Sequence, residues 1–182
     1  PTNDDVGTHD VTLKATDAAG LTDSQSFTIT VANVNDAPVF GSATASVPID
    51  ENVDASTVVF TAPAGDVDVG DTLSYSLGGA DGSLLTIDSK TGVVTLNASP
   101  DHETKDQYLF SVIATDAGGL TGSLDATLDI TDLNEAPEIT SPAVTSATQD
   151  ESYTYTLAYN DVDAGDTLTL SISTLPGWLK FD

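Results

Sequence analysis

The tripeptide Asp66-Val67-Asp68 sits in GDVDVGDTL at residues 65–73, and Asp161-Val162-Asp163 sits in NDVDAGDTL at residues 160–168. A second acidic phrase, ATDAGGL at 114–120, recurs as ATDAAGL at 15–21, placing Asp116 and Asp17 in matching contexts. Carboxylates at fixed spacing in turn-like, Gly-rich phrases supply what a hard divalent cation needs. Calcium takes six to eight oxygens from carboxylates, amides and backbone, and requires neither nitrogen nor sulfur. Two carboxylates about 4 Å apart near a protein surface repel by roughly 4 kcal/mol, so several in one place need a positive charge among them. An isolated acid such as Asp81 or Asp125 reads as a turn cap. The Asp66/Asp68 pair, repeated at Asp161/Asp163 in the same turn context, reads as a cation site.

Other chemistries fit poorly. The two imidazoles, His9 and His102, lie in no zinc or triad spacing, and His102, between two acids, is expected to face solvent. The acids fall at domain ends rather than around a pocket, so no enzyme activity is expected. Cys and Met are absent, which leaves a bound metal as the staple for small domains lacking disulfides. The formal net charge is −25, with 29 acidic residues against four Lys and no Arg. Such a surface repels phosphate backbones and anionic headgroups, so nucleic acid is not an expected partner and membrane insertion is not expected. Twenty-four of the acids are Asp, which favours turns over helix interiors. With no signal-like segment and no apolar run near 18 residues, the chain reads as the interior of a larger secreted polypeptide.

The elements that would position these acids are strands. Short Thr-, Val- and Tyr-rich alternating runs cover residues 10–14, 26–31, 57–61, 72–77, 93–96, 108–115, 124–130, 152–159 and 167–172, and no stretch holds a helical period. Gly, Asp, Asn and Pro clusters separate them, as in an antiparallel sandwich. Asn35 and Asn134 are 99 residues apart, as are Asp17 and Asp116, so the repeat is a whole small domain. Residues 36–135 form a complete domain with seven strands, near 43–48, 57–61, 72–78, 84–87, 93–96, 107–115 and 122–131. The segments NVNDAP at 33–38 and DLNEAP at 132–137 are its joints, each placing a Pro ahead of the next strand. Residues 1–35 match the end of such a domain and 136–182 its beginning, cut after the phrase LPGWLKFD at 175–182. Two or three strands without a facing sheet are marginal alone. The two ends are therefore expected to complete each other in trans between neighbouring molecules, residues 136–182 of one meeting residues 1–35 of the next; the alternative is a covalent connection between them in the full protein. Tyr153, Tyr155 and Tyr159 alternate along one strand, and Trp178 is expected in the core.

Taken together, Asp50-Glu51-Asn52, Asp66-Val67-Asp68, Asp101-His102-Glu103, Thr115-Asp116-Ala117-Gly118 and Asp132-Leu133-Asn134-Glu135 resemble the ordered motifs of bacterial cadherin and cadherin-like repeats. Such repeats are strung along large calcium-dependent surface adhesins. The split domain, with its phrase at 175–182, resembles the dystroglycan-type variant. The resemblance implies an all-β chain of tandem seven-stranded immunoglobulin-like, cadherin-type Greek-key sandwiches, one complete and one split between the chain ends. It also implies Ca2+ at the joints. At the second joint the ligands would be Glu51, Asp101 and Glu103 upstream, Asp132, Asn134 and Glu135 in the linker, and Asp161 and Asp163 downstream. At the first they would be Asn33, Asn35 and Asp36 in the linker and Asp66, Asp68 and Asp116 in the central domain, with Asp4 standing in for the upstream acid. Asp17 and Glu151 would belong to the rebuilt split domain. Asn33 and Glu135 stand where the family's linker has Asp, and Ala37 and Ala136 replace a terminal Asn, which implies one calcium fewer at the first joint. The implied role is a non-enzymatic extender of a bacterial, extracellular adhesin whose partners are calcium and its neighbouring repeats. The alternative is that the repeats themselves bind, homophilically or to a polysaccharide.

Overall fold

In the computed structural model, which describes residues 1–180, the regular elements among the described residues are strands and two short 3-10 turns. It divides into two units, Pro1–Thr131 and Asp132–Asp182. Phe181 and Asp182, the end of the LPGWLKFD phrase, lie outside the described residues.

The first unit opens with a short 3-10 turn, Asn3–Asp5, followed by a long antiparallel hairpin. Strand β1 (Gly7–Thr16) pairs with β2 (Thr22–Val31) in continuous register from Gly7↔Val31 to Thr16↔Thr22. No sheet faces this hairpin among the described residues, and its apolar side chains stay open, with Leu13 57% and Ile29 48% exposed.

Residues 36–131 then form a two-sheet immunoglobulin-like sandwich. One sheet orders β4 (Thr44–Asp50), β11 (Thr121–Thr131), β10 (Gln107–Thr115) and β7 (Ser74–Gly78). The other orders β5 (Val58–Thr61), β9 (Val93–Leu96) and β8 (Leu85–Ile87). A two-residue pair, β3 (Val39–Phe40) with β6 (Ala64–Gly65), completes the entry to the domain. Alternation along the strands explains the layering, because successive side chains point to opposite faces. Phe110, Val112 and Ala114 of β10 and Leu124, Ala126, Leu128 and Ile130 of β11 point inward. They meet Val59, Leu85, Val94 and Leu96 from the opposite sheet, and Phe60 packs edge-on to Phe110 with ring centroids 6.1 Å apart.

The seven expected strands of this domain all form. One ladder differs from the expected antiparallel pattern: β4 runs parallel to β11, from Thr44 beside Asp125 to Asp50 beside Thr131. The first and last strands of the wrapped chain run the same way, and β4 reaches β11 only after the chain turns at Gly41-Ser42, away from the β3–β6 pair. That register carries Asp50 and Glu51 to the end of β11, where Glu51 N–H bonds the Thr131 carbonyl.

Among the described residues of the second unit only β12 (Glu138–Ile139) and β13 (Tyr159–Asn160) pair. The strands expected over 152–159 and 167–172 are not formed as ladders, apart from Tyr159. Their propensity is intact, but a strand is defined by backbone bonds to a neighbour, and residues 132–180 supply too few. Trp178, expected in a core, is 67% exposed and meets Tyr153 edge-on at 6.1 Å, because no second sheet covers it. No described helix is long and apolar enough to cross a membrane.

Candidate metal centre

At the first joint, the linker after β2 is tied down by the acids of the repeated phrases. Asp66 and Asp68 follow β6 in an Asx turn, in which Asp68 N–H donates to Asp66 Oδ1 at 2.9 Å. Asp68 is only 7% exposed, and both its oxygens face the linker. Oδ1 accepts from the Asn33 side-chain amide at 2.8 Å and Oδ2 from Asp36 N–H at 2.7 Å. Asp116, 6% exposed, opens the tight β10–β11 turn. It accepts from Leu120 N–H at 2.8 Å and from the Asn35 amide at 2.8 Å. Burial works to raise the Asp116 pKa, but Asn35 and the Leu120, Gly119 and Gly118 amides outweigh it and hold the carboxyl below its usual range. Gly118 is required here, since a Cβ would sit 2.6–2.7 Å from the Asn35 amide atoms.

Carboxylate oxygens of Asp66, Asp71 and Asp116 lie within 4.8 Å of one another. Asp66 Oδ2 and Asp71 Oδ2 are buried with no hydrogen-bond partner. Burial pushes the Asp71 carboxyl up, aided by the charges of Asp66, Asp116 and Asp68. Asp71 was absent from the expected ligand set, although it stands inside the repeated phrase. Asn3 was also missed, and its amide reaches Asp36 Oδ2 at 2.9 Å. Its neighbour Asp4, the expected stand-in, is exposed and joins no such cluster among the described residues.

The far end of the sandwich carries the other upstream acids. Glu51 is 2% exposed and accepts His102 N–H at 2.8 Å through Oε2. Asp101 accepts from the Thr104 backbone at 2.9 Å and hydroxyl at 3.0 Å, which fixes the turn before β10. Oxygens of Glu51, Asp101 and Glu103 gather within 4.8 Å. His102 is half-buried with Nδ1 3.4 Å from Glu103 Oε1, not turned to solvent as expected, because the turn folds its ring back on its neighbour. Asp81, expected as a simple turn cap, instead ties its loop to β10. Oδ2 accepts Leu109 N–H at 2.7 Å, and Oδ1 lies 3.0 Å from Lys105 Nζ.

In the second unit the same local arrangement recurs. Asp163 N–H donates to Asp161 Oδ1 at 3.2 Å, and Asp163 Oδ2 accepts Glu135 N–H at 2.7 Å, as Asp68 accepts Asp36 N–H. Asp161 Oδ2 and Asp163 Oδ1 are buried without hydrogen-bond partners, and oxygens of Asp161, Asp163 and Asp166 lie within 4.8 Å. The Asn134 amide donates to the Glu135 carbonyl at 2.8 Å, and Asp132 begins the same linker. Glu151 is exposed in a turn after Thr148, and Asp17 caps the β1–β2 turn by accepting Ala19 and Leu21 N–H at 2.9 and 2.8 Å. Neither joins a cluster among the described residues.

An all-oxygen donor set with buried, unpartnered anionic oxygens fits a divalent hard cation such as calcium. Fold and site together define an immunoglobulin-like sandwich carrying clusters of partly buried acids. Residues 45–131 match the cadherin domain family, and residues 1–32 and 136–182 match the family described as "Putative Ig domain". The chain is 31% identical over 171 residues to the Protocadherin-like wing polarity protein stan of Drosophila melanogaster, covering 85% of this chain and 5% of that protein. It is 32% identical over 174 residues to Protocadherin Fat 4 of Mus musculus, covering 90% of this chain and 4% of that protein. Among solved structures, Protocadherin Gamma B7 extracellular cadherin domains 1-4 superposes with a TM-score of 0.65 at 29% identity, covering 87% of this chain and 42% of that one. Sequence and structure thus support the cadherin domain family, whose domains bind calcium and whose members are extracellular or cell-surface adhesion proteins, not enzymes. The chain spans only a small part of the curated relatives' length.

Proposed function

We propose that this chain is a calcium-stiffened extender from a secreted surface adhesin, in which each acidic joint fixes one sandwich to the next and projects a distal binding domain. One observation carries the reading: the same latch, a linker N–H held by the second acid of a D-x-D pair, occurs in both units beside buried anionic oxygens that lack hydrogen-bond partners. Calcium would supply the positive charge that lets those oxygens stay together. Asp66, Asp116 and the Asn35 amide would line the first joint, with Asn33, Asp36 and Asp68 holding the linker against the sandwich. Glu51, Asp101 and Glu103 would serve the next joint from the first unit. Asp161 and Asp163, with Asp132, Asn134 and Glu135 in the linker, would serve it from the second. A bacterial source rests on the motif resemblance alone, since the relatives described above are animal proteins.

Sedimentation velocity in calcium, in chelator and with added glycan tests this role. An extender sediments more slowly in calcium than in chelator, melts higher, and ignores glycan. Equal sedimentation and equal melting in the two buffers would contradict it. The exposed Trp178 against Tyr153 favours a second reading, in which the second unit stacks on a polysaccharide. Glycan-dependent sedimentation abolished by Trp178→Ala would establish that reading instead.

The domain limits 1–35, 36–135 and 136–182 belong to the same proposal. The two flanking pieces match one family, and each leaves apolar strand faces open. Residues 136–182 of one copy pairing with residues 1–35 of another would cover both. This predicts concentration-dependent association that a Leu13→Asp, Ile29→Asp double variant abolishes. A monomer at all concentrations would refute it.

A further inference from the structure

Asp71 stands five residues after Asp66 and outside the ligands that the resemblance supplies, yet it is held as a ligand would be. Gly70 takes φ +96°, a left-handed conformation that costs glycine little. This bends the chain so that Asp71 N–H bonds the Asp68 carbonyl at 3.2 Å. The Asp71 carboxylate then lies beside the turn that Asp116 opens, with one oxygen each of Asp66, Asp71 and Asp116 within 4.8 Å of one another. Its Oδ2 is buried and unpartnered, as is Asp66 Oδ2 in the same cluster. Asp68 differs, because its two oxygens are already engaged by Asn33 and Asp36.

The second unit repeats the glycine turn. Gly165 takes φ +102° and Asp166 N–H bonds the Asp163 carbonyl at 3.4 Å; Asp166 itself is exposed, and the buried, unpartnered oxygens of its cluster are Asp161 Oδ2 and Asp163 Oδ1. A solvent-facing turn cap has no reason to bury an anionic oxygen beside another. The two copies diverge at the intervening position, Val69 against Ala164, but keep the glycine and the final acid.

Resting on the calcium reading above, we infer that Asp71 is a direct ligand of the divalent cation. In the first copy the phrase D-x-D-x-G-D is then a single module: Asp66 and Asp71 bind, and Asp68 latches the linker through Asn33 and Asp36.

Calorimetric titration of chelator-stripped protein with calcium, paired with melting in chelator, tests the assignment. Wild type takes up calcium. Asp71→Asn removes one site or raises its dissociation constant at least tenfold, and melts higher than wild type in chelator because one buried negative charge is gone. Asp125→Asn, which removes a charge from the exposed face of β11, changes neither quantity. Wild-type affinity and stoichiometry in Asp71→Asn would overturn the inference while leaving the calcium reading intact. A lower melting point in both buffers with binding unchanged would make Asp71 a turn cap. No uptake by wild type would defeat the calcium reading itself, and the inference with it.

Discussion

Asp68 and Asp71 sit three residues apart in one turn, yet their surroundings separate their roles. Asp68 accepts two hydrogen bonds from the linker, whereas Asp71 shares a crowded cluster and gains none from it. Asp68→Ala should therefore destabilise the first unit with or without calcium, by about 1–3 kcal/mol, since it leaves the Asp36 N–H and the Asn33 amide without their acceptor. Denaturant unfolding in chelator followed by circular dichroism checks this. The acids also set how stability responds to pH. Asp81 is held below its usual pKa chiefly by Leu109 N–H and also by Lys105, Asp88 by Lys90 and Thr91 N–H, and Asp129 by Gln107 and Ser46. Each contributes stability present above the ordinary carboxylate pKa of 3.8 and lost as pH falls through its depressed value. Asp71 has the opposite sign, because its folded pKa is raised, so protonating it favours the folded state. In chelator, melting temperature should first rise as pH falls from neutral through the raised Asp71 value, then drop below about pH 4. A steady fall from pH 7 downward would show that the cluster carries no strain.

The strands of the central sandwich were legible because each carries its own period-2 pattern, and that pattern needs no partner to be read. Val112, Leu124 and Leu128 fall on the buried phase, and Ser111, Asp125 and Thr127 on the other. The parallel β4–β11 ladder was not legible, since direction is a property of the chain's path and not of the residues in either strand. Residues 152–159 and 167–172 show the converse. Their Tyr and Thr content reads as strand, but ladders need neighbours that residues 132–180 do not provide. Much of the candidate site was legible as repeated D-x-D phrases. Asp71 was in plain view in the same phrase, but its role depends on the Gly70 turn that folds it back. Asn3 left no signal, because its contact with Asp36 crosses 33 residues. Two variants test the element-level account. Leu128→Ala, at a side chain 1% exposed between the sheets, should cost about 2–5 kcal/mol in equilibrium unfolding. Gly118→Ala should displace Asn35 from Asp116 and weaken calcium uptake at the first joint while leaving the Leu128 core intact, seen as an unchanged unfolding slope in denaturant.

For the molecule as a whole, a net charge of −25 with no disulfide means that cohesion at the joints must come from something other than covalent staples or complementary charge. The sandwich from 36 to 131 has a closed core of its own, so the dependence on cation should fall on the joints and the flanks. High salt alone should not replace calcium, because screening weakens repulsion between exposed charges but leaves buried oxygens without partners. Calcium titration by calorimetry, on the chain and on Asp66→Ala/Asp68→Ala and Asp161→Ala/Asp163→Ala, tests the central claim most directly. Saturable uptake by the parent chain, with a different site lost in each double variant, is the predicted result. Uptake of equal stoichiometry in all three proteins, or none in the parent, would contradict it.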